Sequence, residues 1–169
     1  MSDELDYDEP DHCTVGVVGE VGNRLFLFYC RQGVTETTVK VEKQQVAVLA
    51  SYLGRIVKEL GRPGHLPDDL SFDGTEDPEW VVGTIGVSYD EEIDRVVIVL
   101  EEVGETDDED ERDGHVLRVA LTREQAAAFA IHATRLVEAG RPPCPLCGFP
   151  LDPSGHDCPR TNGHRPPVT

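Results

Sequence analysis

The stretch Val15-Gly16-Val17-Val18-Gly19 recurs in the second half of the chain as Val82-Gly83-Thr84-Ile85-Gly86, with the same V-G-x-x-G pattern. An apolar run and then an alternating segment follow each copy. The apolar runs are residues 25–30 and 96–100, and the alternating segments are residues 37–41 and 115–121. A period of two residues and many β-branched side chains favour strands at all of these places.

A predicted helix closes each half. Residues 43–60 and 122–139 carry apolar side chains at spacings of three and four, and a glycine followed closely by a proline ends both segments. Thr122 and Gln125 form the start of a capping box. The order is therefore β-β-β-α twice, with Gln45 matching Gln125. Chance likeness of two such units is the alternative to duplication.

We therefore predict an α+β fold in which two β-β-β-α repeats form a pseudo-twofold structure and helices cover antiparallel sheets. A shared barrel or two adjacent sheets would both satisfy the pattern. The first half is predicted over residues 1–62 and the second over residues 80–142. Residues 63–79, rich in Gly, Pro and Asp, are the predicted linker, and residues 143–169 are the predicted zinc-ribbon-like module.

The composition is acidic, with 15 Lys and Arg against 33 Asp and Glu and a net charge of −18. Such a chain repels the phosphate backbone, which argues against nucleic acid as a partner. No run approaches the roughly 20 apolar residues that a membrane helix needs, and the first six residues are acidic where a secretory signal is basic. We expect a cytoplasmic protein with no membrane partner, in which clustered cysteines are metal ligands or redox groups.

Three of the five cysteines, Cys144, Cys147 and Cys158, lie close together near the C-terminus. The Cys-x-x-Cys-Gly turn directs two thiolates at one point, as in zinc knuckles. This Pro-rich segment is too short to bury a core of its own, so a metal crosslink is what would order it. We predict one structural Zn²⁺ here. A thioredoxin-like redox pair is the rival interpretation, but that motif begins a helix, whereas prolines follow here.

The fourth zinc ligand is either His156 or His164. His156 is preferred because Gly155 supplies the tight turn that a short His-x-Cys arm needs. The spacing from Cys158 to His164 resembles that of longer Cys₃His sites. Elsewhere, Cys13 and Cys30 are predicted to be buried small apolar residues, and His132 a core or boundary histidine.

The residues Cys144 to His164 read C-P-L-C-G-F-P-L-D-P-S-G-H-D-C-P-R-T-N-G-H, and a helix start Leu-Thr-Arg-Glu-Gln precedes them. Over nearly the whole chain, this pattern resembles a family of actinobacterial proteins of unknown function. The resemblance implies zinc binding, an actinobacterial cytoplasm and a pathway shared with a histidine-phosphatase-like and a kinase-like protein encoded nearby. It implies no catalytic residues.

The sequence contains no phosphate-binding P-loop, nucleophile elbow or H-E-x-x-H motif. We expect a non-enzymatic zinc-binding adaptor or regulatory protein that acts through contacts with another protein. One alternative is an enzyme or ligand-binding protein for a phosphorylated or nucleotide-like metabolite in a cleft between the halves, with these candidate anion-binding residues: Arg24, Arg55, Arg95 and Arg135. A second alternative is nucleic-acid contact through the zinc module, using Arg160, His164 and Arg165.

Overall fold

The structure, a computed structural model, describes residues 4–19, 24–61, 63–104 and 114–139. The strands in these ranges are β1 (Glu4–Tyr7), β2 (His12–Val18), β3 (Leu25–Gln32), β4 (Thr35–Val41), β5 (Val82–Asp90), β6 (Arg95–Glu102) and β7 (Val116–Leu121), and the helices are α1 (Lys43–Leu60) and α2 (Arg123–Glu138). The predicted α+β class and the two β-β-β-α units are confirmed. Strand β1 is an addition that the sequence analysis did not predict.

The strands form two sheets. The first has the order β2-β3-β4 and is antiparallel, and the second has the order β1-β7-β6-β5, with β1 parallel to β7. A parallel bridge between Lys40 and Val81 joins the sheets, and the Lys40 amide donates to the Trp80 carbonyl at 2.9 Å. Strand β4 thus runs beside the segment that leads into β5, and the two units share one hydrogen-bonded boundary.

Strand β1 connects the N-terminal segment to both units. It pairs with β7 of the second unit, while the buried Tyr7 places its hydroxyl 2.7 Å from Thr37 Oγ1 on β4 of the first unit. Arg118 on β7 contacts the Asp6 carboxylate at 3.0 Å. Two of the four residues of β1 are acidic and three are exposed, so this strand depends on partners distant in sequence rather than on its own β propensity.

A single hydrophobic core contains residues of both units. The helices pack against each other, and each also contacts the first strand of the other unit, α1 with β5 and α2 with β2. A pseudo-twofold relation between the units produces this reciprocal pair of helix–strand contacts. Phe28 on β3 and Phe129 on α2 are almost fully buried, and their ring centroids are 5.6 Å apart in a tilted arrangement. This separation lies in the range that aromatic pairs prefer.

The helix starts follow from capping residues. Gln125 Oε1 accepts from the Thr122 amide and the Gln125 amide donates to Thr122 Oγ1, both at 3.0 Å, which confirms the predicted capping box. At the start of α1, the Glu42 amide donates to Gln45 Oε1 at 2.8 Å. Gly61 ends α1 with a φ of 97°, a backbone conformation that favours glycine.

Residues 70–74 cross the outer face of the first sheet. Thr14 Oγ1 donates to the Leu70 carbonyl at 2.7 Å, and His12 Nε2 lies 2.7 Å from the Ser71 carbonyl oxygen. The Phe72 ring lies so close to Gly16 that a β-carbon there would be 2.5 Å from it. The segment between the two units therefore covers one face of the first sheet as well as connecting the units.

Candidate functional site

An open groove of about 720 Å³ lies between α1 and β5. Its lining residues are Glu42, Gln44, Gln45, Val48, Leu49, Tyr52, Gly83, Thr84, Ile85 and Val87. On the helix side, Val48 and Tyr52 are 50% and 49% exposed. On the strand side, Ile85 and Val87 are partly buried against the core. Apolar surface is thus accessible along both walls.

Local sequence explains where the groove begins. Gln45 belongs to the first turn of α1, and its side-chain amide donates toward the carbonyl oxygens of Gly83 at 3.2 Å and Val82 at 3.4 Å. The pairing of β5 with β6 shifts register between Val82 and Thr84, as at a β-bulge. Helix and strand are therefore joined at this end, and the groove opens beyond it.

The matching contact in the other unit, between α2 and β2, has different side chains at the positions of Val48 and Tyr52. When Gln45 is matched with Gln125, Val48 corresponds to Ala128 and Tyr52 to His132. Ala128 is 5% exposed, and His132 Nε2 lies 2.9 Å from the Val15 carbonyl oxygen of β2. Ala128 is thus buried and His132 contacts β2, whereas Val48 and Tyr52 remain half exposed beside β5.

The charged groups near the groove are mostly acidic. Glu42 lines it, and Thr84 Oγ1 donates to the Glu101 carboxylate at 3.0 Å on the neighbouring strand. At the other end, the Arg55 guanidinium lies 5.4 Å from the centre of the Tyr52 ring, within the range of a cation–π contact. The lining contains no histidine, cysteine or lysine among the described residues, and its titratable side chains are Glu42 and Tyr52.

A second polar cluster lies beneath the segment that crosses the first sheet. Tyr29 donates to the Glu36 carboxylate at 2.8 Å, and its ring meets those of His12 and Phe72 edge-on. Burial, followed by the hydrogen bond to Glu36, raises the pKa of Tyr29 to about 12. A phenol with so high a pKa stays protonated at neutral pH, so this cluster supports the fold rather than supplying a base.

A third cluster lies at the ends of β6 and β7. The Glu102 carboxylate accepts from the His115 amide at 2.9 Å and lies 2.7 Å from His115 Nδ1. These two contacts, with the backbone one the larger, lower the pKa of Glu102. The His115 ring stacks on Trp80, with centroids 5.9 Å apart. The result is a hydrogen-bonded carboxylate–imidazole contact stacked on an aromatic ring.

A family model described as "Protein of unknown function (DUF3090)" matches residues 5–158. The chain belongs to this family. The match spans every described helix and all the strands, except for the first residue of β1. Comparison with curated proteins finds no match. Membership in DUF3090 thus confirms the predicted resemblance to a family of unknown function.

The zinc ligands predicted for this DUF3090 protein, Cys144, Cys147, His156 and Cys158 with His164 as the alternative, lie outside the described residues, as do Arg160 and Arg165. Within residues 4–19, 24–61, 63–104 and 114–139, no group of three or more His, Cys, Asp or Glu side chains could hold a metal ion. Zinc binding therefore stays a prediction.

The cysteine and histidine predictions within the described ranges are confirmed. Cys13 and Cys30 are buried partners across β2 and β3. Burial, with the contact to Cys30 second, raises the pKa of the Cys13 thiol, as expected of an unreactive buried cysteine. His132 lies at the edge of the core. Neither of the described helices combines the length and apolar character needed to cross a membrane.

The four candidate arginines do not line the α1–β5 groove. Arg55 is at its rim, beside Tyr52, and Arg135 is exposed in the last turn of α2. The sequence analysis did not single out Val48 and Tyr52. Their spacing of four residues, outside the buried stripe of α1, is the signal that could have revealed a second apolar surface.

Proposed function

We propose that this DUF3090 protein is a non-enzymatic adaptor or regulatory protein that binds another protein through the α1–β5 groove. The observation that carries the proposal is the accessible apolar surface formed by Val48 and Tyr52 opposite Ile85 and Val87. Apolar side chains grouped together on an otherwise charged surface are typical of an interaction site. Aromatic residues such as Tyr52 are common anchors in such sites.

The electrostatics of the groove favour a protein partner over an anionic metabolite. Its volume lies within the roughly 300–1,000 Å³ range of small-ligand sites, but its charged lining residue is Glu42, and Glu101 lies beside Thr84. A phosphorylated ligand would meet these carboxylates, and the lining itself contains no Lys or Arg among the described residues. Because like charges repel, the enzyme alternative gains no support from this groove.

The proposal includes a structural zinc ion held by Cys144, Cys147, Cys158 and His156. Three thiolates and one imidazole complete a tetrahedral site, which leaves no position for a catalytic water. His156 is preferred over His164 because Gly155 supplies the tight turn that a short His-x-Cys arm needs. We expect about one zinc per chain in protein purified without chelator, and less zinc in Cys147→Ser. Less than about a tenth of an equivalent in the wild type would contradict the zinc site.

A crosslinked pull-down from the native host, treated with nuclease, tests the adaptor function. The wild type is compared with Tyr52→Asp, which places a charge in the groove, and with Ile131→Asp on α2, where Ile131 is 45% exposed. We expect a stoichiometric protein partner that Tyr52→Asp loses and Ile131→Asp retains. Equal recovery of the partner by both variants, or no partner with the wild type, would contradict the proposal.

Cys158→Ala extends the same experiment to the zinc module. Loss of the partner in this variant, with the same urea unfolding as the wild type, would show that the module contributes to binding. Retention of the partner would confine the interface to the body of the protein. Urea unfolding of each variant shows whether the loss comes from the surface or from the fold.

A further inference from the structure

Two of the four described sheet edges, β1 and β4, are protected from pairing with another chain. Strand β1 has only four residues and carries Glu4 and Asp6, and short charged strands resist edge pairing. The β2 edge has one such side-chain contact, between the Val15 carbonyl and His132 Nε2 of α2. The β4 edge is joined to residues 79–81 by backbone hydrogen bonds.

Strand β5 is the edge strand that borders the α1–β5 groove. Gln45 contacts its first two carbonyl groups, at Val82 and Gly83, but no described strand pairs with residues 84–90 on the side away from β6. The strand contains no lysine or proline, and its charged residue is Asp90 at the end. A long edge that lacks the usual protective features is a template for strand pairing.

The groove lies where an additional strand would fit. Strand β4 runs beside Val81 through the Lys40 bridge and then ends at Val41. Helix α1 follows, and the groove separates it from β5. An extended segment of about seven residues, roughly 23 Å long at 3.3 Å per residue, would match residues 84–90. Its inward side chains would lie beside Val48 and Tyr52, which are half exposed.

Charge indicates what kind of segment this is. Glu42 lines the groove, and Glu101 lies beside Thr84 at the same end, so a Lys or Arg of the partner would find opposite charge there. A second copy of the chain is disfavoured, because each copy carries a net charge of −18 and like net charges repel. A basic partner would instead be attracted before contact.

We infer that the α1–β5 groove binds an extended basic peptide segment with alternating apolar side chains, which adds to β5 as a fifth strand of the second sheet. Backbone hydrogen bonds to β5 would provide affinity, and the apolar wall of α1 would select the side chains. This inference rests on the proposed function and specifies the chemical class of its partner.

The test is a random peptide display selection on the full-length protein, with counter-selection on Tyr52→Asp. We expect enriched peptides that contain Lys or Arg and alternate apolar with polar residues. One enriched peptide is then synthesised in two N-methylated forms, each blocking alternate amides. Since alternate amides of an added strand face β5, one form should bind about tenfold or more weakly and the other nearly unchanged.

Amide hydrogen exchange supplies the structural readout. The bound peptide should slow exchange at residues 84–90, while Ile131→Asp should bind as the wild type does. Equal affinity of both N-methylated forms would overturn strand addition but leave groove binding intact. Failure to enrich any peptide sensitive to Tyr52→Asp would overturn both. Enrichment of acidic peptides, or dimers of the wild type that Tyr52→Asp abolishes, would overturn the basic-peptide assignment.

Discussion

The hydrogen bond between Tyr7 and Thr37 connects the N-terminal strand to the first unit, and its removal tests that connection. The two hydroxyls are 2.7 Å apart, and the side chains are 2% and 1% exposed. Tyr7→Phe leaves the Thr37 hydroxyl buried without this partner, and Thr37→Val does the same to Tyr7. Leaving one buried polar group unpaired costs about 1–3 kcal/mol, whereas replacing both partners by apolar groups of the same shape is nearly neutral.

Each single variant should therefore lower the free energy of unfolding by about 1–3 kcal/mol, and the double variant by less than the sum, with a coupling energy of about 1 kcal/mol or more. Urea titrations followed by circular dichroism measure all four proteins of this double-mutant cycle. The variants should keep the slope of the transition. Additive losses, within about 0.5 kcal/mol, would refute the reasoning that these hydroxyls satisfy each other.

Two further predictions concern residues 70–74, which cross the first sheet, and the contact between Glu102 and His115. Gly16→Ala places a β-carbon 2.5 Å from Phe72 Cγ and should lower the free energy of unfolding by about 1–3 kcal/mol. Gly86→Ala, which meets no atom within 4 Å, should leave it unchanged or slightly higher in the same urea assay; equal losses would contradict the packing argument. His115 lowers the pKa of Glu102, so the folded state binds fewer protons than the unfolded chain in acid. Glu102 therefore stabilises the fold above its unfolded pKa, and this contribution disappears as the pH falls through its folded pKa. As the pH is lowered from about 6 to about 3, the free energy of unfolding should therefore fall less for Glu102→Gln than for the wild type. An equal fall in both proteins would exclude this role of Glu102.

The helices could be predicted closely because their signals are local. Apolar periodicity, the pairing of Thr122 with Gln125, and the glycine after each helix specify the two elements without any distant contact. Helix α1 occupies the predicted residues, and α2 is one residue shorter at each end than predicted. Thr122 caps α2 from outside, which accounts for the difference at its start.

The features that the sequence did not reveal depend on distant partners. Strand β1 is short and acidic, and it becomes a strand because β7 pairs with it. Phe72 lies in a segment whose Gly, Pro and Asp content indicated a connection, yet its ring packs on Gly16. The α1 and β5 walls of the groove belong to different units. They come together only in the folded protein, where each helix packs on the first strand of the other unit.

The groove residues Val48 and Tyr52 were not predicted, because their exposure beside β5 depends on distant contacts, whereas the position of His132 was predicted. The reading of His132 as a core or boundary histidine was right because it rested on its position beside Phe129 in the helix. The comparison of Val48 with Ala128 becomes informative only when both helices are seen beside the strands they contact. The zinc ligands, by contrast, were predicted from spacing alone, and the metal analysis tests them directly.

The pairing of β1 with β7 sets an order on events during synthesis. Asp6 and Arg118 are 112 residues apart in the chain, so at about 5–20 residues per second the N-terminal strand emerges roughly 6–22 s before its partner. The ladders of the first sheet join neighbouring segments and can form in that interval. Tyr7, buried in the finished protein, is exposed to water meanwhile. Glu4 and Asp6 on this strand disfavour its pairing with other nascent chains before β7 is available.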